Sequence, residues 1–219
     1  MTHLDYQKLE DYGGETRTSR LRALLGTTVN EAWRQFAYTS GATFTGHGVH
    51  GSSKITARHG PWTLVLDTHV RRSGRRPMRI TRLRVPYVDR SDLRFRVRTA
   101  GLLDAFTSLF AGGRVSIGPE FDREFILTGS RPRDIKALFS DPRLPFGLAG
   151  LPPLRLHVSG GRDILSAWLP PGTAMLYLEI AGILKNPAAM YATFDVGRVL
   201  LDGLQRIGAT VRMDPGASF

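Results

Sequence analysis

Leu93-Arg94-Phe95-Arg96-Val97-Arg98 alternates apolar and cationic side chains with a period of two. Successive side chains of a strand point to opposite faces, so this segment reads as a strand with three apolar groups turned inward and three guanidiniums turned out. Upstream, over 43–98, β-branched content and alternation are broken at Gly60-Pro61, at Ser73-Gly74 and at Asp89-Arg90-Ser91, which predicts four strands in meander order. Downstream, 121–128 reads as a strand in which Phe121, Phe125 and Leu127 share a face. Three more strands are expected over 154–158, 164–169 and 174–184, separated by Gly160-Gly161 and Pro170-Pro171-Gly172.

Helical spacing flanks this β-rich middle. Leu21, Leu24, Leu25, Thr28, Ala32 and Phe36 recur at steps of three and four, which predicts a helix over 18–38. Near the C-terminus, Asn186 offers an N-cap and Pro187 suits a first helical turn. Met190, Phe194, Gly197, Leu201 and Leu204 then share a face, and Gly208 is a stop. Gly197 and Gly203 weaken such a helix by roughly 1 kcal/mol each relative to Ala, so a close approach by another backbone is expected at one of them. Shorter helices are expected over 102–110, ended by Gly112-Gly113, and over 130–140, with Ser130 as N-cap, Pro132 in the first turn and Ile135, Leu138 and Phe139 as the apolar stripe. The pattern specifies an α+β fold with a mainly antiparallel sheet system, an N-terminal helix and a long C-terminal helix. Residues 1–16 and 213–219 are expected to be flexible, with a single domain over 17–212 and a candidate seam at 150–153, at Pro152-Pro153.

The chain has 219 residues, 42% of them hydrophobic and no cysteine, which is enough to bury a core without disulfides and excludes thiolate metal sites and thiol nucleophiles. No basic start followed by an apolar stretch marks a secretory signal, and the longest apolar run, 174–184, is interrupted by Glu179 and falls short of the ~20 residues that span a bilayer. A cytoplasmic location with no transmembrane segment is the expectation.

Thr81-Arg82-Leu83-Arg84-Val85-Pro86-Tyr87, and Gly118-Pro119-Glu120-Phe121-Asp122-Arg123-Glu124-Phe125-Ile126 followed by a short helix and Asp141-Pro142-Arg143, resemble a group of uncharacterised bacterial proteins catalogued only as a domain of unknown function. The likeness extends over about 62–208. It implies an α+β domain of bacterial type and transfers no catalytic residue.

Candidate sites divide by chemistry. Gly46-His47-Gly48-Val49-His50-Gly51 matches G-x-G-x-x-G, but no helix opens after it and no βαβ unit surrounds it, so a glycine turn is the simpler reading. His47, His50 and His59 with the Asp67/His69 pair supply ligand and acid–base chemistry without a defined common face. Glu120, Asp122 and Glu124 would share one face of a strand. There they suit a hard cation or, more simply, a neighbouring strand bearing Arg94, Arg96 and Arg98. The nucleophile elbow, the phosphate-binding loop and the H-E-x-x-H zinc motif are all absent from the sequence.

The strongest signal is charge. Thirty basic residues against nineteen acidic give a net +11, and 26 of the thirty are arginine, a bias that GC-rich coding also produces. Eleven of the arginines lie within the 28 residues 71–98, against only Asp89 and Asp92. Arg71, Arg72, Arg75 and Arg76 belong to a hairpin tip around Gly74, while Arg82, Arg84, Arg94, Arg96 and Arg98 would line the polar face of the next two strands. Guanidiniums grip phosphate oxygens bidentately, so these nine residues are the expected anion or nucleic-acid site, with no catalytic residue, metal or cofactor assigned. Aromatic interleaving is thin, with only Tyr87 close by, which argues against base stacking. The alternatives are a self-associating scaffold that uses strand edges or the C-terminal helix and meets acidic protein surfaces with its arginines, or a solvated charged sheet. An enzyme built on His47, His50, His59 or Asp67 carries the least support.

Overall fold

The computed structural model describes residues 28–46, 53–73, 76–101, 113–160 and 169–217, with backbone alone at 72, 73 and 76. Eight strands form one antiparallel sheet: β1 (Thr43–Thr45), β2 (Lys54–His59), β3 (Trp62–Ser73), β4 (Arg76–Val88), β5 (Phe95–Thr99), β6 (Phe125–Gly129), β7 (Leu154–Gly160) and β8 (Thr173–Ala181). The spatial order is β1-β2-β3-β4-β8-β7-β5-β6. The helices are α1 (Val29–Ser40), α2 (Pro119–Glu124), α3 (Pro132–Phe139), α4 (Arg143–Ala149) and α5 (Pro187–Arg206). This is the α+β architecture that the sequence pattern specifies.

The predicted breaks at Gly60-Pro61, Ser73-Gly74 and Asp89 fall between strands, and β1 to β4 do form a meander. The fourth predicted strand departs from it. β5 does not pair with β4, because β8 and β7 insert between them.

One face of the sheet carries the core. Leu64 and Leu66 on β3, Leu83 and Val85 on β4, Leu176 and Leu178 on β8, Leu156 on β7 and Val97 on β5 are buried in one cluster with Trp33, Phe36, Leu138, Leu148, Phe194 and Leu201 of the helices. α5 starts as its punctuation dictates: Asn186 Oδ1 accepts from Ala188 N at 2.9 Å, Pro187 takes the first turn, and Gly208 adopts φ 73° beyond the end. Met190, Phe194, Gly197, Leu201 and Leu204 are all buried. The close approach at the two glycines is made by side chains rather than backbone. A Cβ on Gly197 would lie 2.8 Å from Leu83 Cδ2, and one on Gly203 would lie 2.5 Å from Leu138 Cδ1.

The remaining elements correct the pattern reading. α1 begins at Val29, where Thr28 is extended (φ −66°, ψ 157°) and forms a capping box with Glu31, and the rest of the expected helix, 18–27, lies outside the described residues. Strand 121–128 splits at Glu124: Pro119 starts a helical turn, and Phe121 packs against Phe125 one turn on, with ring centroids 5.0 Å apart. Ser130 does not cap α3. Its hydroxyl accepts from Arg94 N at 3.0 Å, clamping the start of β5, and Arg131 occupies the cap position at φ 56°. The missed helix α4 carries Pro145 and Gly147, which suppress a helical signal, yet a Cβ on Gly147 would lie 2.9 Å from Val196 Cγ2 of α5. The glycine is what lets the two helices meet. The expected elements over 102–110 and 164–168 lie outside the described residues.

α4 is anchored by Asp141, whose carboxylate accepts from Arg143 N at 3.1 Å, Arg143 Nε at 3.0 Å and Arg143 Nη2 at 2.7 Å. These hydrogen bonds hold the Asp141 carboxyl down at about 2. A carboxylate with a depressed folded pKa stabilises the fold above its ordinary value near 4 and loses that contribution as pH falls toward 2. Asp141→Asn is therefore expected to be less stable than the parent at neutral pH and to show a shallower loss of stability between about pH 4 and 2, read from urea midpoints. Gly197→Val should cost about 1–3 kcal/mol by overpacking against Leu83 and Leu64, measured in the same way.

Candidate anion-binding face of the sheet

Antiparallel partners that are directly opposite each other share a side of the sheet, so the register alone assembles the second face. One row of partners crosses six strands: Arg98 on β5, Arg155 on β7, Glu179 on β8, Arg82 on β4, Asp67 on β3 and Lys54 on β2. The next row runs Arg96, His157, Tyr177, Arg84 and Val65 through β5, β7, β8, β4 and β3. All these side chains lie opposite the leucine-rich face that meets the helices.

Asp67 is the hub of the β3–β4 end. Its side chain is only 6% exposed. Arg82 grips it through Nε and through Nη2 at 3.1 Å, while Arg84 Nη2 donates to Oδ2 at 2.6 Å. Arg82 Nη1 also reaches the Tyr177 hydroxyl at 3.4 Å. Burial opposes the charge of Arg82, but the hydrogen bonds to Asp67 outweigh it and its pKa is raised. Arg84 is lowered by burial, which the attraction of Asp67 does not overcome beside the Arg82 charge. Burial raises Tyr177 and, together with Arg82, lowers His69, so both stay neutral near pH 7. Arg71 Nη1 donates to Glu179 at 2.8 Å.

The nine arginines expected at the site therefore do not act as one patch. Arg82 and Arg84 are separated from Arg96 and Arg98 by two strands, roughly 14 Å at ~4.8 Å per strand spacing. Arg94 turns to Asp89 at 2.7 Å and Asp92 at 2.6 Å and lies against Gly160. Arg75 and the side chains of Arg72 and Arg76 are outside the described residues. Arg96 is exposed, and Arg98 is half-buried.

The other candidates scatter. His59 Nε2 lies 2.7 Å from Asp202 of α5 and stacks on Trp62, on the helix side of the sheet and away from Asp67. His47 and His50, and all of the glycine-rich motif but Gly46, lie outside the described residues. Among the described residues no cluster of three His, Asp or Glu side chains could hold a metal ion. Glu120, Asp122 and Glu124 belong to the α2 turn rather than a strand, and Asp122 accepts from the Ser116 hydroxyl and from Ile117 N at 3.2 Å.

What the sequence reading missed are the polar members of β7 and β8: Arg155, His157, Tyr177 and Glu179. Their signal was present, since Leu154, Leu156 and Val158 alternate with Arg155, His157 and Ser159. Their position between β4 and β5 was not, because the strand order is non-local. Among the described residues no helix is long and apolar enough to cross a membrane. Compared with protein-family models, curated proteins and solved structures, the chain gives no match.

Removing the hub charge would leave two recessed guanidiniums facing each other. Asp67→Asn is expected to cost about 3–5 kcal/mol of folding stability, and a second change, Arg84→Met, should recover part of it, both read by urea denaturation.

Proposed function

We propose that the protein is a non-enzymatic binding module whose β5–β7 sheet face engages a phosphate-bearing polyanion, with a single-stranded nucleic acid as the leading ligand. One observation carries this reading: Arg155 on β7 and Arg96, two residues along β5 from Arg98, the cross-strand partner of Arg155, stand on the same face of the sheet. Exposed guanidiniums on adjacent strands can grip successive phosphates of one chain. Arg96 and Arg155 are exposed, and neither has a side-chain partner among the described residues.

The β3–β4 arginines contribute differently. Arg82 and Arg84 share Asp67 and Arg71 pairs with Glu179, so these three are partly answered within the face and help to orient it. The self-association alternative finds less support, because the two kinds of surface it would use are occupied or short. The apolar side of α5 is in the core, residues 113–115 cover the outer edge of β6, and the opposite edge, β1, has three residues.

The test is binding of fluorescent single-stranded and duplex oligonucleotides across a salt series. Affinity should fall linearly on a log–log plot, and Arg96→Gln with Arg155→Gln should flatten the single-strand slope by roughly 0.7 per cation removed. Arg94→Gln should leave the slope unchanged. An absence of binding at low salt, or a slope that ignores Arg96 and Arg155, would defeat this reading.

A further inference from the structure

β4, β5, β7 and β8 come to one end of the sheet, where Met78, Ile80, Pro153, Leu154, Ile180 and Ala181 surround a recess of about 210 Å³. Arg71, Arg155 and Glu179 complete its wall. At the ~30 Å³ that one water occupies in the liquid, this volume holds roughly seven chain atoms. Ile80 is buried on the face that carries Arg155 and Glu179, Met78 is 39% exposed at the rim, and Leu154 and Ile180 turn their side chains to the core on the other face.

The polar part of the wall is cationic on balance. Glu179 is already held by Arg71 at 2.8 Å, so its charge is answered within the wall. Arg155 keeps its charge, with no partner among the described residues, and Arg98 stands directly opposite it. The Arg71 Nε is buried and has no hydrogen-bond partner among the described residues. A buried donor of this kind calls for an acceptor.

The chemistry of the lining selects among anions. Among the described residues no aromatic side chain lines the recess, so none of them offers a nucleobase a stacking surface. Besides the charged groups the only polar side chain there is Thr99, whose hydroxyl already accepts from Leu154 N at 2.9 Å, which leaves little to recognise a sugar. The apolar side chains of Met78, Ile80, Pro153 and Ala181 beside two guanidiniums match an aliphatic chain that ends in an anionic head.

We propose that this recess binds a short-chain anionic amphiphile, its carboxylate or phosphate head held by Arg155 and Arg71 and its aliphatic chain seated on Met78, Ile80 and Pro153. The site goes beyond the polyanion reading and shares only Arg155 with it.

The experiment titrates octanoate, acetate and a single-stranded oligonucleotide into the full chain, followed by amide chemical shifts and calorimetry. Octanoate should bind one to one with a Kd below about 1 mM and at least about tenfold tighter than acetate. Ala181→Phe fills the recess from an exposed strand end and should weaken octanoate at least about tenfold while leaving the oligonucleotide salt slope intact. Arg155→Gln should weaken both ligands. Octanoate binding no tighter than acetate, or unaffected by Ala181→Phe in a variant with parental circular dichroism, overturns the proposal. Octanoate binding without oligonucleotide binding upholds the recess and removes the polyanion reading; the reverse result removes the recess alone.

Discussion

Asp67 answers a problem created by the position of β8. That strand lies fourth from the β6 edge of the eight-stranded sheet, and every residue from Thr173 to Leu178 is buried, so neither of its faces meets bulk water freely. On β4, immediately beside it, Arg82 and Arg84 point to the non-helical face, where isolated guanidiniums would repel each other with little water to screen them. A single carboxylate from β3, the next strand out, accepts from both. The antiparallel register makes this possible by setting Asp67 opposite Arg82 and within reach of Arg84.

The opposite face is organised by a different force. There the sheet offers leucine and valine side chains, and the helices answer with Trp33, Phe36, Phe194 and Leu201, so burial of apolar area supplies the driving force and hydrogen bonds fix the details. Trp33 illustrates the division: its ring is fully buried, and its Nε1 donates to Leu184 O at 2.7 Å, tying α1 to the segment that leads into α5. The glycines at 147, 197 and 203 then set how closely the helices and the sheet approach. One face thus depends on packing and the other on charge pairing, and the strands between them serve both.

Much of the fold is legible in local pattern because local pattern is what sets it. The alternation at Leu93 to Arg98, the glycine turn at Gly60-Pro61 and the Asn186-Pro187 start of α5 each involve residues within a few positions of one another. Strand order is not of this kind. Placing β8 and β7 between β4 and β5 depends on contacts across about a hundred residues, which periodicity does not encode. The site shares that limit. The arginine-rich segment was visible as composition, but whether Arg82 and Arg96 stand on neighbouring strands depends on the non-local order, and so does the meeting of Arg98 with Arg155. Glu120, Asp122 and Glu124 misled for a related reason: alternating carboxylates read as a strand face until Pro119 and the Phe121–Phe125 contact are weighed.

The row of charges across the sheet is asymmetric, and the asymmetry points to where function resides. From the β2 side the order is Lys54, Asp67, Arg82, Glu179, Arg155 and Arg98, so signs alternate through β8 and then repeat. An alternating row can satisfy itself with cross-strand pairs and needs nothing from outside. The repeat falls where Arg155 is exposed and where the aliphatic recess opens beside it. On the proposed reading, it is the exposed guanidinium of Arg155 that a ligand's anion would meet.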